Sequence, residues 1–260
     1  MDTQFHEPSA AADARRLRVL TLNIQVGMQT AHYGHYVTGA WRHVLPSSSV
    51  RANLDRIAEL AAGFDLVALQ EADAGSLRTA QLNQVEYLAG RAGFAHWQLA
   101  VNRNLGPFAQ HCLGFLSRHP LQAVQHHALP GRVRGRGALT ATIAPPGHAP
   151  LHVIVTHLAL SRASRRRQLD HLARIAPDGV ELLMLGDLNC EADELLQHTL
   201  LRERALRPVD GAPTFPSWKP QRRLDHILAT PGLHISRSHV VPTPLSDHLA
   251  VAAELGLPHA

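Results

Sequence analysis

The sequence predicts an α/β protein built from layered, mixed sheets. Three observations carry that prediction. Short β-type apolar runs recur from Leu17 to Glu254, amphipathic helical patterns lie between them, and the last runs follow one another at hairpin-like spacing.

Taken in order, Leu17–Ile24 is the first strand. Arg51–Ala62 follows with Leu54, Ile57, Ala58 and Ala61 at the spacing that lines one helix face. Asp65–Gln70 is a second strand, Gln81–Ala92 a second helix, and Trp97–Val101, Leu113–Ser117 and Leu121–Ala128 a further series of strands. Ala138–Ile143 and Leu151–His157 continue the pattern. Then come a helix over Ser164–Ile175, a strand over Glu181–Leu185 and a helix over Ala192–Leu200. Leu224–Ala229, His234–Val241 and Leu249–Glu254 close the series. Gln25 to Val50 fits no period. It carries His32, Tyr33, His35, Tyr36, Trp41 and His43, and reads as a packed surface loop or as a contact for substrate.

At 260 residues and 45% hydrophobic, the chain can bury one large core, so residues 17–260 read as a single domain after a frayed tail at 1–16. That polar, alanine-rich tail lacks the apolar stretch of a secretory signal, and no run of 18 apolar residues occurs anywhere. Cys112 and Cys190 sit in or beside apolar runs with no pairing motif, which argues against a disulfide framework. A soluble, cytoplasmic protein without a stable protein partner is the expectation. The net charge is +4, and every basic residue but Lys219 is arginine, a side chain suited to phosphate, although charge alone selects no partner.

The chemistry gathers where apolar runs stop. LRVLTLN ends at Asn23, LVALQE at Glu71, HVIVTH at His157, and LLMLGDLN delivers Asp187 and Asn189. Each residue alone reads as a turn or cap; four such endings together point to a site on a rigid scaffold. RRLDHIL and LSDHLAV each set an Asp–His pair among apolar neighbours, where an unpaired charge is costly. The economical arrangement pairs Asp225 with His248, fixing the ring and favouring its protonated form, and leaves Asp247 for a metal.

The ordered series TLN, LQE, THL, GDLN, RRLDHI and SDH resembles the endonuclease/exonuclease/phosphatase superfamily over roughly residues 17 to 255, with LGFLSRHPL and TFPSW as supporting segments. The resemblance implies a deoxyribonuclease I-like fold: a four-layered α-β-β-α sandwich of two packed mixed β-sheets flanked by helices. It implies a Mg²⁺ or Mn²⁺ site at Glu71, with Asn23 and Asp247 assisting. Asp187 would orient or deprotonate the attacking water, Asn189 would bond nucleophile or phosphate, and His157 and His248 would donate to phosphoryl oxygens. Asp225 supports His248. Asn23, His157 and Asn189 would also contact the substrate.

Water attacking a phosphorus screened by negative oxygens needs a cation, donors and a positioning carboxylate, and this set supplies all three. The expected activity is a metal-dependent phosphodiesterase. A nuclease for DNA or RNA and a sphingomyelinase-like lipid-headgroup enzyme are the alternatives, with a non-catalytic binding module as a remote one. The substrate is thus a nucleic acid, a lipid headgroup or a small phosphodiester. DNA-repair relatives carry aspartate where this chain has Gln25, and His157 matches other branches, so an abasic-site role is disfavoured.

Of the basic clusters, Arg162, Arg165, Arg166 and Arg167 wrap around a helix and read as solvated. The Gly131–Gly137 segment reads as a flexible turn whose Arg132, Arg134 and Arg136 could reach phosphate. His126, His127 and the other histidines read as surface residues, Glu191 and Asp193 as residues opening a helix, and Asp73 as undecided.

Overall fold

The computed structural model describes residues 16–28, 48–132 and 135–258. The tail before Arg16, the aromatic residues of the Gln25–Val50 segment and Arg134 lie outside them. Two six-stranded sheets form the centre. The first has the order β11 (His234–Val240), β12 (Val251–Gly256), β1 (Arg16–Asn23), β2 (Leu66–Asp73), β4 (Gln110–Ser117), β3 (His96–Asn104). The second runs β5 (Gln122–Ala128), β6 (Gly137–Ile143), β7 (Leu151–His157), β8 (Glu181–Asp187), β10 (Asp225–Ala229), β9 (Arg207–Pro208).

Each sheet is antiparallel except for one central parallel pair, β1 with β2 and β7 with β8. A parallel pair needs a crossover, and α1 (Ser48–Ala61) and α3 (Arg162–Ile175) supply the helices. Leu17, Val19, Leu66 and Ala68 of the first sheet meet Leu139, Val153, Val155, Leu183 and Leu185 of the second in one buried cluster. The opposite face of the first sheet, with Leu20, Leu22, Val67 and Leu69, packs on α1 and on α2 (Gln84–Ala92). On the second sheet Ile154, Leu182 and Met184 pack on Leu169 and Leu172 of α3. Strands buried on both faces explain why their sequences are unbroken apolar runs, and the result is the four-layered sandwich that the sequence leads us to expect.

Local chemistry moves several boundaries. α2 starts at Gln84 because Asn83 caps it, its Oδ1 accepting from the amides of Val85 and Glu86. The helix expected over Ala192–Leu200 is two, α4 (Ala192–Leu196) and α5 (Thr199–Glu203), the second opened by His198 Nδ1 accepting from the Leu201 amide. Glu191 stands at the N-cap of α4 without a capping bond; its carboxylate accepts from the Arg223 amide instead. Arg165 is not solvated: it is buried in a two-pronged bond to Glu194, Nε to Oε1 at 3.1 Å and Nη2 to Oε2 at 2.9 Å. Nor is every spare histidine on the surface, because His226 is fully buried against the carbonyls of Cys190 and Arg223, and burial lowers its pKa to about 4. Cys112 and Cys190 are free thiols. No helix among the described residues is long and apolar enough to cross a membrane.

Candidate active site

Strand alternation decides which side chains reach the gap between the sheets. On β1 the inward positions are Leu17, Val19, Thr21 and Asn23; on β8 they are Leu183, Leu185 and Asp187; on β7, Val153, Val155 and His157. From Val153 on β7 and Leu183 on β8 the inward series is apolar until its last member, and on β1 until its last two. Register then aligns the ends of the second sheet, since His157 pairs with Asp187 and Asp187 with Asp225 across three adjacent strands. A row of polar side chains thus stands where the core ends.

Gly186 permits the close approach of β7 and β8. A Cβ there would lie 1.9 Å from the Thr156 carbonyl oxygen, so the residue before Asp187 has to be glycine.

Glu71 reaches the same gap by a different device. Strict alternation would put it on the face of Val67 and Leu69, beneath the helices. Between Leu69 and Ala72 the pairing with β4 slips, so that Gln70 and Glu71 stand opposite the single residue Leu113. The bulge reverses the alternation: Ala72 rejoins the helix side, and Glu71, at φ 55°, turns until Oε1 is 4.0 Å from His157 Nε2 on the other sheet. Asn189 is likewise left-handed, at φ 53°. Both conformations lie in the left-handed region that costs a non-glycine residue backbone energy, so the surrounding structure has to hold them.

Asp187 lies at the centre. Its Oδ2 accepts from Asn23 Nδ2 at 3.2 Å and lies 3.3 Å from His157 Nε2 and 3.9 Å from His248 Nε2, while Oδ1 accepts from the Asn189 amide at 3.0 Å. Burial pushes its pKa up, but the positive fields of His157 and His248 and the bonds from His157 and Asn23 outweigh that and hold it well below the usual carboxylate range. Asp225 is fully buried, and its Oδ2 takes Thr214 Oγ1 at 2.6 Å and His248 Nδ1 at 2.8 Å. Burial raises the pKa of Asp225; burial alone would lower that of His248, yet Asp225 and Asp187 lift it to about 10. The pair therefore holds a proton on the imidazole at neutral pH.

The loop before β12 is clasped from two sides. Ser246 Oγ donates to the Asn23 carbonyl at 2.5 Å and accepts from the His248 amide at 3.0 Å. From TFPSW, Phe215 packs on the His248 ring with centroids 4.9 Å apart, Ser217 Oγ donates to the Ser246 carbonyl and the Ser217 amide to the Asp247 carbonyl.

Seven of the eight expected residues thus surround one gap, with Asp247 beside His248, and all eight but Glu71 are buried. Sequence alone places Arg136 in a flexible turn, yet its Nη1 is 2.7 Å from His157 Nε2. His157 Nε2 thus has the Arg136 guanidinium on one side and the Asp187 carboxylate, 3.3 Å away, on the other. The available signal is positional: Gly137 pairs with His157, which sets Arg136 at the entrance to the gap. Asp73 is no ligand, being buried under Arg78 Nε at 2.6 Å, Ser76 Oγ at 2.9 Å and the Gly75 amide at 2.9 Å. A roomier cavity, about 720 Å³, lies away from this row between α3 and α4–α5, where Asp170 pairs with His198 and Arg162 with Glu194.

Two sets of side chains could hold a cation. Asp187, Asp225 and His248 offer ligand atoms within 4.8 Å of one another, but the Asp225–His248 bond and the proton on His248 occupy two of the three. Glu71 fits better. Its side chain is 35% exposed, among the described residues no donor bonds its carboxylate, and its companions offer the hard oxygens that Mg²⁺ or Mn²⁺ takes.

Residues 20–248 match the model of the Endonuclease/Exonuclease/phosphatase family. The chain belongs to the endonuclease/exonuclease/phosphatase family. Members of this family hydrolyse phosphoester bonds and usually employ a divalent metal. Within it, the chain is 33% identical over 193 residues to YbhP of Escherichia coli K12, an uncharacterized protein, covering 66% of this chain and 72% of YbhP. A family structure from Beutenbergia cavernae superposes with a TM-score of 0.74 at 23% identity, over 94% of this chain and 72% of that one. For a mannosyl-6-phosphatase from Bacteroides thetaiotaomicron the TM-score is 0.66 at 15% identity, over 92% and 99%. At these identities the two structures share the family's fold with this chain and argue nothing about its substrate.

Proposed function

We propose that the protein is a divalent-metal-dependent phosphodiesterase that cleaves its substrate by direct attack of water. The observation that carries this reading is the row His157–Asp187–Asp225, with His248 bonded to Asp225, facing Asn23 and Glu71 across the gap. Mg²⁺ or Mn²⁺ would be held by Glu71, with Asn23 and Asp247 nearby. Bound there, the ion would draw charge from the phosphoryl oxygens and make a water more acidic.

The remaining roles belong to the chain. Asp187, ionised and strongly depressed in pKa, is a weak base, so it chiefly orients the attacking water, helped by Asn23 and Asn189. His248, protonated up to about pH 10, donates from Nε2 to the oxygens on which charge accumulates. Arg136 faces His157 with a donor that a phosphoryl oxygen would accept more readily than imidazole. His157, whose Nε2 lies 2.7 Å from Arg136 Nη1 and 3.3 Å from Asp187 Oδ2, is the second group that would donate to a phosphoryl oxygen.

The test is a substrate panel with and without chelator: bis(p-nitrophenyl) phosphate, p-nitrophenyl phosphate, oligonucleotides and a short-chain phospholipid. Diester cleavage should vanish in chelator, return with Mg²⁺ or Mn²⁺ and be lost in Asp187→Ala. Metal-independent turnover, or monoester cleavage outpacing every diester, would overturn the proposal.

A further inference from the structure

We infer that a second anion subsite adjoins the reaction centre and selects substrates that carry another phosphate beside the scissile one. This rests on the phosphodiesterase reading. A cavity of about 170 Å³ opens next to Glu71 and His157, and its other walls include Asn102, Arg103, His111 and Arg136. Pockets for whole drug-sized ligands begin at roughly 300 Å³, so this one accommodates a group and not a molecule.

The cavity is shaped by its glycines. A Cβ on Gly135 would meet the Arg103 side chain at 2.9 Å, and one on Gly137 would meet Asn102 Oδ1 at 2.1 Å. The GRVRGRG segment therefore has a purpose beyond turning: its glycines let the end of β3 lie against the entrance of β6, which brings Arg103 and Asn102 beside Arg136.

The charges are what an anion needs. Among the described residues the exposed Arg103 guanidinium makes no hydrogen bond or ion pair, while Arg136 Nη1 lies 2.7 Å from His157 Nε2. Burial holds the Arg136 pKa below its usual value, Glu71 and Asp187 oppose this, and Arg103 adds to the depression, as a like charge close by must. Two guanidiniums facing one small cavity are relieved by an anion between them. His111 is neutral at pH 7, with burial and Arg78 lowering its pKa to about 4, and its Nε2 lies 3.3 Å from Arg78 Nη1; accepting that bond leaves Nδ1 protonated as a further donor. Arg78 is anchored in turn by buried Asp73, so this wall is fixed. Because His157 and Glu71 line the same cavity, a phosphate bound here would sit next to the one undergoing attack. A polynucleotide and a polyphosphorylated inositol headgroup both present phosphates in that way.

The test compares matched substrates with metal present. The p-nitrophenyl ester of thymidine 5′-phosphate is assayed with and without a 3′-phosphate, and short-chain phosphatidylinositol with and without phosphates on the ring. The extra phosphate should raise kcat/KM about tenfold in at least one pair, through KM, and Arg103→Ala should erase that ratio. The responsive pair identifies the source. Equal turnover within both pairs, or a ratio that survives Arg103→Ala, overturns the subsite. If no substrate turns over, the phosphodiesterase reading fails, and calorimetry of thymidine 3′,5′-bisphosphate against thymidine 5′-phosphate still decides: tighter bisphosphate binding that Arg103→Ala removes supports the subsite, and equal binding overturns it.

Discussion

The two sheets contribute to one site in opposite ways. The second sheet offers His157, Asp187 and Asp225 in register on three paired strands, buried and bonded before substrate arrives. The first offers Glu71 from a bulge, in a left-handed conformation, part-exposed and without a donor among the described residues. One side is a preorganised set of bonded polar groups, and the other is an open carboxylate, to which the proposed mechanism assigns the cation. Preorganisation and openness call for different local structures, a straight register in one case and a broken one in the other.

That contrast can be tested by removing each side in turn. Asp187→Ala should have the largest effect, a fall in kcat of about 10³-fold or more that added metal does not repair; steady-state kinetics over a metal titration would show it, and activity within about tenfold of wild type would refute it. Glu71→Gln should cost up to about 100-fold at low metal and recover in part as Mn²⁺ rises, because its loss is one of metal affinity. Recovery in the aspartate variant and none in the glutamate variant would reverse the assignment of the two sides.

Asp225→Asn should lower turnover about 100-fold while leaving metal affinity unchanged, and should move the His248 imidazole titration, followed by NMR in chelator, well below about 10. It also carries a stability signature. A folded-state pKa raised from the histidine value contributes stability that is complete below about pH 6.5 and is lost as pH rises towards the folded value. The melting temperature of wild type should therefore exceed that of the variant at about pH 6 and approach it near pH 10; a constant difference would mean that the pair does not set the pKa. Thr214→Val is the mildest change: it removes the hydroxyl donor to Asp225, for a loss of about 1 kcal/mol and a several-fold fall in kcat.

How much of this the sequence discloses follows the same division. Asn23, His157 and Asp187 are legible because each is a polar residue that closes a continuous apolar run. Glu71 also closes such a run, but its metal role is implied by the family resemblance alone; alternation would point it under the helices, and a bulge leaves no composition signal in QEAD. The placement of Arg136 and Arg103 is hidden for a related reason. What sets it is the close approach of two strands across glycines, a property of packing between segments distant in sequence. The Asp225–His248 pairing is readable from cost alone, since two charges in apolar runs need each other.

The hydrogen bond from Ser246 to the Asn23 carbonyl joins the last site loop to the first strand, and β12, which follows that loop, lies between β11 and β1. As a chain emerges from the ribosome, β1, β2 and the whole second sheet are made before the segment that carries His248 and closes the first sheet. No earlier intermediate holds a complete site. The full row of polar side chains is therefore assembled only after both sheets have been made and the contacts most distant in sequence have formed.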